Sequence, residues 1–170
     1  MFLSGRDEGR EAWAQVLPLL HRPVRAITYD CGGIGASEAR PRHEQPVPYS
    51  AIALELRDLL AALAAPGPYI LVGHSFGGLI ARAYLAAHPQ SVAGLIMVDV
   101  SVPEAHLWPD PSPYIDGDRP DATVVDIAAA ATELTTPAAG RPAVVITKTS
   151  GWWNDARVTA DIDAYWQRSH

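Results

Sequence analysis

Apolar residues in this chain fall into continuous runs and into spaced runs, which predict strands and helices respectively. The continuous runs lie at Tyr69–Gly73, Val92–Val98 and Ala143–Thr147. Val24–Tyr29 is also predicted as a strand, and Phe2-Leu3 could end a further one. Continuous apolarity, unlike alternation of apolar and polar residues, suits strands that are covered on both faces. These runs therefore favour a parallel sheet.

The spaced runs predict helices between these strands. Ser50 is a good N-cap, and five apolar residues behind it share one helical face: Ile52, Leu56, Leu59, Leu60 and Leu63. Further helices are predicted at Glu11–Leu20, which Pro18 shortens or kinks, and at Leu79–His88, Thr123–Leu134 and Thr159–Arg168. Alternating strands and helices predict one α/β domain over residues 1–170, with a mostly parallel sheet flanked by helices in three layers.

One junction between a strand and a helix carries candidate chemistry. It reads Gly73-His-Ser-Phe-Gly-Gly78, a G-x-S-x-G pattern in the strand–turn–helix context that gives the pattern its meaning. We expect the turn to hold Ser75 in a strained conformation, with its Oγ at the carboxyl end of the sheet. Only glycine is expected to fit at Gly73 and Gly77, because a Cβ there would strike neighbouring backbone. The N–H of Phe76, at a helix N-terminus, could then donate to an oxyanion.

Composition and charge limit the classes of partner. The 170 residues have a formal net charge of −6 and no basic stripe, so nucleic acid is not an expected partner. The single cysteine, Cys31, excludes an intrachain disulfide. The sequence has no run of 18 apolar residues and no recognisable signal peptide, so we expect a cytoplasmic protein without a membrane partner. The six histidines are scattered, so no metal and no cofactor are expected.

Two loops add detail to this picture. Asp30-Cys-Gly-Gly-Ile-Gly-Ala-Ser37 holds three glycines but lacks the G-x-G-x-x-G spacing of a dinucleotide site. Ser101–Pro120 is rich in proline, and residues 101–135 are expected to form a lid or cap inserted into the domain. Trp108 in this stretch, with Trp152 and Trp153, would favour an apolar acyl or aromatic substrate group, although aromatic loop residues also simply pack.

Four segments of the chain together resemble the α/β-hydrolase superfamily, in particular its esterase-like, peroxidase-like and epoxide-hydrolase-like members. Gly73–Gly78 is similar to the nucleophile elbow of that family, and Asp30–Ser37 to its D-x-x-G-x-G-x-S loop after the fourth strand. Leu95–Asp99 and Pro142–Thr147 are similar to its sixth and seventh strands. The resemblance implies a serine hydrolase that acts on a small-molecule ester, thioester or amide through an acyl-enzyme. Because the elbow residue is Ser75 and not an aspartate, the dehalogenase and epoxide-hydrolase branches are not favoured.

The resemblance also implies the groups that would stabilise an oxyanion. In the family, one backbone donor follows a His-Gly pair after the third strand, and the other follows the nucleophile. Ser4-Gly5 occupies the place of the His-Gly pair here, so the two donors carried over are the N–H groups of Arg6 and Phe76.

The acid and the histidine of the implied triad are less directly matched. Asp155 is the first candidate for the acid, in a segment, Gly151–Val158, that is one residue longer than the family's G-x-x-D-x-x-V pattern. Asp99, after the sixth strand, is the alternative, and either aspartate could instead cap loop N–H groups. The family carries its histidine in a Gly-His pair after an eighth strand, which this sequence lacks. His170 and His106 are the remaining candidates, and the other histidines are expected to be structural or solvent-exposed.

The first two strands of the family are missing as well as the eighth. In the family's strand order these losses leave both flanks of the sheet bare, and exposed sheet edges invite pairing with other chains. We therefore expect a truncated copy, a fragment of a longer product, or a protein that self-associates. The alternative to a working hydrolase is a catalytically impaired fragment or a hydrolase-like binding or interaction domain that lacks the triad histidine.

Overall fold

The computed structural model describes residues 1–41, 44–100, 114–116, 123–126, 129, 133–134 and 140–147 of the chain. Six strands lie in these ranges: β1 (Phe2–Leu3), β2 (Tyr69–His74), β3 (Val92–Val98), β4 (Tyr114–Asp116), β5 (Thr123–Val125) and β6 (Ala143–Ile146). Four of them form a parallel sheet in the order β1-β2-β3-β6, and β4 and β5 form an antiparallel pair. The mostly parallel sheet predicted from the continuous apolar runs is confirmed.

The register of the sheet brings the carboxyl ends of its strands to one edge. Leu3 of β1 lies opposite Gly73 of β2, and His74 of β2 lies opposite Val98 of β3. Val98 in turn lies opposite Ile146, the last residue of β6. The loops that leave these strands therefore emerge side by side, which is where α/β proteins build their sites.

Two helices cover one face of the sheet. They are α1 (Tyr49–Ala62) and α2 (Phe76–Ala87), close to the predicted bounds. The apolar face of α1 packs with α2 into the main core, which also takes Leu71 of β2 and Leu95 of β3. This packing confirms helices that flank the sheet.

The predicted N-cap of α1 is wrong. The helix begins at Tyr49, with Pro48 as the N-cap residue and no side-chain cap. The hydroxyl of Ser50 instead donates to a carboxylate oxygen of Glu133, 2.7 Å away. A tertiary contact that sequence spacing does not reveal has taken the place of the local capping bond.

The opposite face of the sheet carries a smaller apolar cluster. Phe2, Trp13 and Val72 are buried there, and Leu17 packs against them. The helix predicted over Glu11–Leu20 is wrong: this segment forms two short 3₁₀ turns, Arg10–Trp13 and Leu17–Leu19. Pro18 lies inside the second turn, and a proline lacks the N–H and the space that a continuous α-helix requires.

The strand predicted at Val24–Tyr29 is reduced to a single bridge. Thr28 pairs in parallel with Phe2 of β1, and the Phe2 N–H donates to the Ile27 carbonyl at 2.9 Å. Since β1 is only two residues long, it offers this segment few positions with which to pair.

The segment Thr123–Val125, predicted as the start of a helix, is strand β5, and Tyr114–Asp116 in the predicted loop is strand β4. The Val47 N–H donates to the Val124 carbonyl at 2.8 Å. The strand is explained by its antiparallel pairing with β4, to which Val47 adds a single bridge, since tertiary context overrides weak local preference.

The base of this hairpin is also held by a buried arginine. The Arg40 guanidinium donates to Thr123 Oγ1 at 2.8 Å and to the Gly32 carbonyl at 3.2 Å, and it pairs with the Glu55 carboxylate on α1. The contact joins the glycine loop, α1 and β5. That residues 101–135 act as a lid stays a prediction.

None of the helices in the described ranges is long and apolar enough to cross a bilayer. The predicted helix at Thr159–Arg168 lies outside the described residues.

Candidate functional site

Ser75 stands on a sharp turn between β2 and α2. It follows the last residue of β2 and precedes the first residue of α2, with φ 48° and ψ −117°. A positive φ is unfavourable for any residue with a Cβ, and it persists only where the surrounding structure imposes it. Ser75 is partly exposed, whereas the helix residues that follow it are buried.

Two glycines allow this turn to form. A Cβ on Gly73 would lie 2.7 Å from the backbone N and Cα of Gly78. A Cβ on Gly77 would lie 2.1 Å from the Leu3 carbonyl oxygen at the end of β1. Both distances are shorter than any tolerable contact, so the first turn of α2 can approach β1 and β2 only without these side chains.

Backbone hydrogen bonds fix the turn on both sides. The Ser75 N–H donates to the Val98 carbonyl at 3.1 Å, and the Gly78 N–H donates to the Ser75 carbonyl at 3.1 Å. Phe76 is buried, with its ring centre 5.6 Å from that of Tyr49 on α1. As the first residue of α2, Phe76 has its N–H at the positive end of the helix dipole.

A second turn, residues 4–9, leaves β1 beside this one. The buried Ser4 hydroxyl donates to the Gly9 carbonyl at 2.9 Å and accepts the indole N–H of Trp13 at 3.0 Å. Arg6 lies at the exposed part of the turn, and its guanidinium bonds to the adjacent Asp7 carboxylate at 2.9 Å. The turn therefore lies at the edge of the sheet from which the β2–α2 turn also emerges.

A contact between a carboxylate in this second turn and a histidine side chain was not predicted. Glu8 Oε2 lies 3.0 Å from Nδ1 of His74, the residue before Ser75, and it also accepts the Gly5 N–H at 2.9 Å. Both side chains are partly exposed, at 39% for Glu8 and 34% for His74. The only sequence signal was an acid in the loop after the first strand, and nothing in that spacing pairs it with a histidine 66 positions away.

Asp99 directly follows β3 and lies at the same edge. It is 8% exposed, its φ is 47°, and its N–H donates to the Ile146 carbonyl of β6 at 2.7 Å. Because His74 lies opposite Val98 in the sheet, Asp99 is one residue beyond the strand position next to the β2–α2 turn. Three predicted residues, Arg6, Ser75 and Asp99, thus follow adjacent parallel strands at the same edge of the sheet.

The glycine loop after Tyr29 is organised by one aspartate. The Asp30 carboxylate accepts the N–H of Arg10 at 2.7 Å and that of Ala36 at 3.2 Å. Burial alone would raise the pKa of Asp30, but these two backbone N–H donors and the Arg10 charge hold it below its usual value. The carboxylate braces the loop against the Arg10–Trp13 turn, which is a structural role.

Other predicted site residues lie outside the described ranges. These are Asp155, His170 and His106, together with Trp108, Trp152 and Trp153. Of the histidines that the structure describes besides His74, His21 is exposed, and His88 ends α2 with its ring 5.0 Å from that of Tyr84. Within the described part of the chain, no group of three His, Cys, Asp or Glu side chains could hold a metal ion.

Comparison with known proteins identifies the wider relationship. A family model described as alpha/beta hydrolase fold matches residues 1–155. An AB hydrolase superfamily protein of Gibberella zeae is 33% identical over 99 residues, which cover 55% of this chain and 30% of that protein. Lipase LipV of Mycobacterium tuberculosis is 36% identical over 89 residues, which cover 52% of this chain and 28% of the lipase. The chain thus spans less than a third of the length of these curated relatives.

A solved structure extends the likeness in fold over the chain. A variant of tomato methylketone synthase I superposes with a TM-score of 0.67, covering 99% of this chain and 82% of that one. The sequence identity is 15%, so this likeness concerns the fold alone.

Proposed function

This chain belongs to the α/β-hydrolase fold family, and we propose that it carries the nucleophile of a serine hydrolase. In this proposal, Ser75 Oγ attacks the carbonyl carbon of a small-molecule ester, thioester or amide, and the alcohol, thiol or amine leaves as an acyl-enzyme forms. Water then releases the acid and restores the serine. The curated relatives include a lipase, which fits this class of reaction.

The observation that carries the proposal is the backbone conformation of Ser75. A serine with φ 48°, held between β2 and α2 by two glycines that cannot take a Cβ, is strained at a partly exposed position. Strain of this kind costs roughly 1–3 kcal/mol and concentrates at functional sites. A strained turn between a strand and a helix is what a nucleophile elbow requires, and this supports the proposal that Ser75 presents Oγ at the carboxyl end of the sheet.

Two backbone N–H groups are proposed as the oxyanion hole. Phe76 begins α2, where the helix dipole favours negative charge, and Arg6 lies in the turn after β1. Backbone donors that are already oriented stabilise the developing oxyanion without reorganising during the reaction. Each donor sits on a turn that is held by its own hydrogen bonds, which supports preorganisation.

The remaining triad members are assigned from the resemblance. An imidazole would accept the Ser75 proton, and Asp155 is the first proposed acid, with Asp99 as the alternative. Asp99 lies at the edge of the sheet that an acid of the triad would need to occupy, since it follows β3 next to the β2–α2 turn. Among the residues that the structure describes, no imidazole is hydrogen-bonded to the Ser75 hydroxyl, which keeps the hydrolase-like binding domain as the competing proposal.

Ester or amide chemistry is favoured over epoxide or halide chemistry. Relatives named as epoxide hydrolase 4 and fluoroacetate dehalogenase match this chain at 26% and 30% identity. The resemblance leads us to expect an aspartate at the elbow of those branches. Ser75 supplies an alkoxide nucleophile, which suits acyl transfer.

The proposal is tested by covalent labelling of the 170-residue chain with a fluorophosphonate probe. We expect stoichiometric labelling at Ser75, located by mass spectrometry, and its loss in Ser75→Ala. Ser50→Ala, at an exposed serine on α1, is the matched control and should label like the unaltered protein. Labelling should be accompanied by turnover of a p-nitrophenyl ester that falls by a large factor in Ser75→Ala, up to about a millionfold for an intact triad.

The outcome that contradicts the proposal is a folded chain, with a cooperative thermal transition, that the probe does not label. That result would favour the binding domain.

A further inference from the structure

Glu8 makes two contacts through a single oxygen atom. Its Oε2 lies 3.0 Å from Nδ1 of His74 and accepts the Gly5 N–H at 2.9 Å. The Glu8 N–H also approaches the Gly5 carbonyl, at 3.4 Å, which closes the turn from the other direction. One carboxylate thus joins the turn that contains Arg6 to the last residue of β2.

A side chain at position 5 would displace this contact. A Cβ on Gly5 would lie 2.7 Å from Glu8 Oε2 and 2.9 Å from His74 Nδ1. The carboxylate and the imidazole therefore fill the volume that a side chain at position 5 would need.

The same turn is anchored on its inner side. Ser4 is buried and bonded to both Trp13 and the Gly9 carbonyl. Ser4 fixes the start of the turn, and Glu8 fixes its outer part against His74. Arg6 lies between these two anchors.

We propose that Glu8 is a positioning residue, which holds the Arg6 N–H in register with Ser75 by clamping residues 4–9 to His74. The inference rests on the proposed function, because it assigns the Arg6 N–H to the oxyanion hole. Hydrogen bonds to a carboxylate are roughly twice as strong as neutral ones, so this contact can hold an exposed turn. Oxyanion donors must lie within about 2.7–3.1 Å of the developing charge, and small displacements weaken them steeply.

The first measurement is the rate of labelling by the fluorophosphonate probe as a function of probe concentration. Glu8→Ala should reduce the maximal inactivation rate about tenfold or more, with little change in the probe concentration that gives half of it. If Glu8 contributed only to stability, its removal would not lower the maximal inactivation rate while leaving the half-saturating probe concentration unchanged.

Glu11→Ala is the matched control. Glu11 lies in the neighbouring segment and its Oε1 accepts the Gly9 N–H at 3.1 Å. This contact joins Glu11 to the end of the 4–9 turn and does not reach β2. Glu11→Ala should therefore label within about twofold of the unaltered chain, since loss of this partly buried bond leaves the contact between Glu8 and His74 in place.

Glu8→Gln is the conservative variant. Both donors meet one oxygen of Glu8, so an amide oxygen can occupy that position and accept both bonds. We expect a labelling rate between those of the unaltered chain and Glu8→Ala.

The second measurement does not depend on reactivity at Ser75. Amide hydrogen exchange at Gly5 should be at least about tenfold faster in Glu8→Ala than in the unaltered chain, because the N–H loses its acceptor. His74→Gln tests the other partner and should raise the same exchange rate by a smaller factor.

These outcomes separate the inference from the proposed function. Suppose that the probe does not label the chain, whereas hydrogen exchange at Gly5 becomes faster in Glu8→Ala and not in Glu11→Ala. The clamp then exists and the hydrolase proposal fails. If Gly5 exchange is the same in Glu8→Ala, or labelling proceeds at the unaltered rate, the positioning role is wrong. An equal effect of Glu11→Ala on labelling would also overturn it.

Discussion

Strands β3 and β6 are neighbours of similar composition, yet their side chains have opposite environments. In β3, Leu95 is 4% exposed, whereas in β6 Val144 is 55% and Val145 is 66% exposed. Leu95 pairs directly with Ala143, the first residue of β6, so the change occurs within one strand spacing.

The difference arises from what lies on each strand. β3 has β2 on one side and β6 on the other, α2 against one face, and the cluster of Phe2, Trp13 and Val72 against the other. Within the described ranges β6 has only β3 beside it. A continuous apolar run thus identified a strand in both cases, but the burial of its side chains depends on neighbours that are distant in sequence.

The largest loss of folding stability is expected for a substitution at the buried Gly77. Gly77→Ala places a methyl group 2.1 Å from the Leu3 carbonyl oxygen, and neither backbone segment can move without breaking the sheet. We expect loss of cooperative folding, because native domains are stable by only about 5–15 kcal/mol. Circular dichroism during heating would detect the loss of the transition.

The control for this change is Gly140→Ala. Gly140 has a positive φ of 71° and no atom within 4 Å of a built Cβ, so only backbone strain is introduced. This variant should lose about 1–2 kcal/mol of stability and still fold. A Gly77→Ala protein that melts within a few degrees of Gly140→Ala would show that the close approach at α2 is not essential.

The next largest difference is expected between the unfolding free energies of two variants, each with one side chain shortened to alanine, in β3 and in β6. Leu95→Ala removes a buried side chain from β3 and should cost about 2–5 kcal/mol. Val144→Ala in β6 should cost less than about 1 kcal/mol, because its side chain is already more than half exposed. Denaturant unfolding of both variants, analysed with a common slope, measures the difference, and equal losses would mean that β6 is covered in solution.

The smallest effect on stability is expected for Val145→Lys. This variant tests whether copies of the chain associate with one another. β6 is an apolar edge strand in the described sheet, and we propose that copies of the chain self-associate through it. A lysine there should change the free energy of unfolding by less than about 0.5 kcal/mol while reducing the oligomer fraction. Sedimentation velocity over a concentration series would show this, and a chain that is monomeric before substitution would contradict the proposal.

Much of the sheet followed from local pattern. The runs that became β2, β3 and β6 are largely apolar, and three residues of the predicted face of α1, Ile52, Leu56 and Leu60, are buried. Leu63, the last residue of that predicted face, lies just beyond the helix and is 48% exposed, so its place on the buried face was predicted wrongly. The G-x-S-x-G pattern likewise predicted a turn at Ser75 and close backbone approach at two glycines, because the need for a missing Cβ is written in the residue type itself.

The errors have two physical causes. Pro18 prevents a continuous α-helix over Glu11–Leu20, whereas partners elsewhere in the chain decided the structures of the segments around Thr28 and Thr123. Thr123–Val125 is a strand because it pairs with Tyr114–Asp116 and also bridges to Val47, although the residues beyond it are rich in alanine. Local propensity could not anticipate a partner some 80 residues away.

The sequence by itself determined the strand–turn–helix around Ser75, because its apolar run, its glycines and its following helix are contiguous and act over a few residues. Only the tertiary structure decided that Glu8 meets His74, that Asp99 lies beside the turn, and that β6 stays exposed. Those facts depend on parallel strands whose ends converge although they are far apart along the chain, and hydrogen bonds of about 3 Å form only after that convergence.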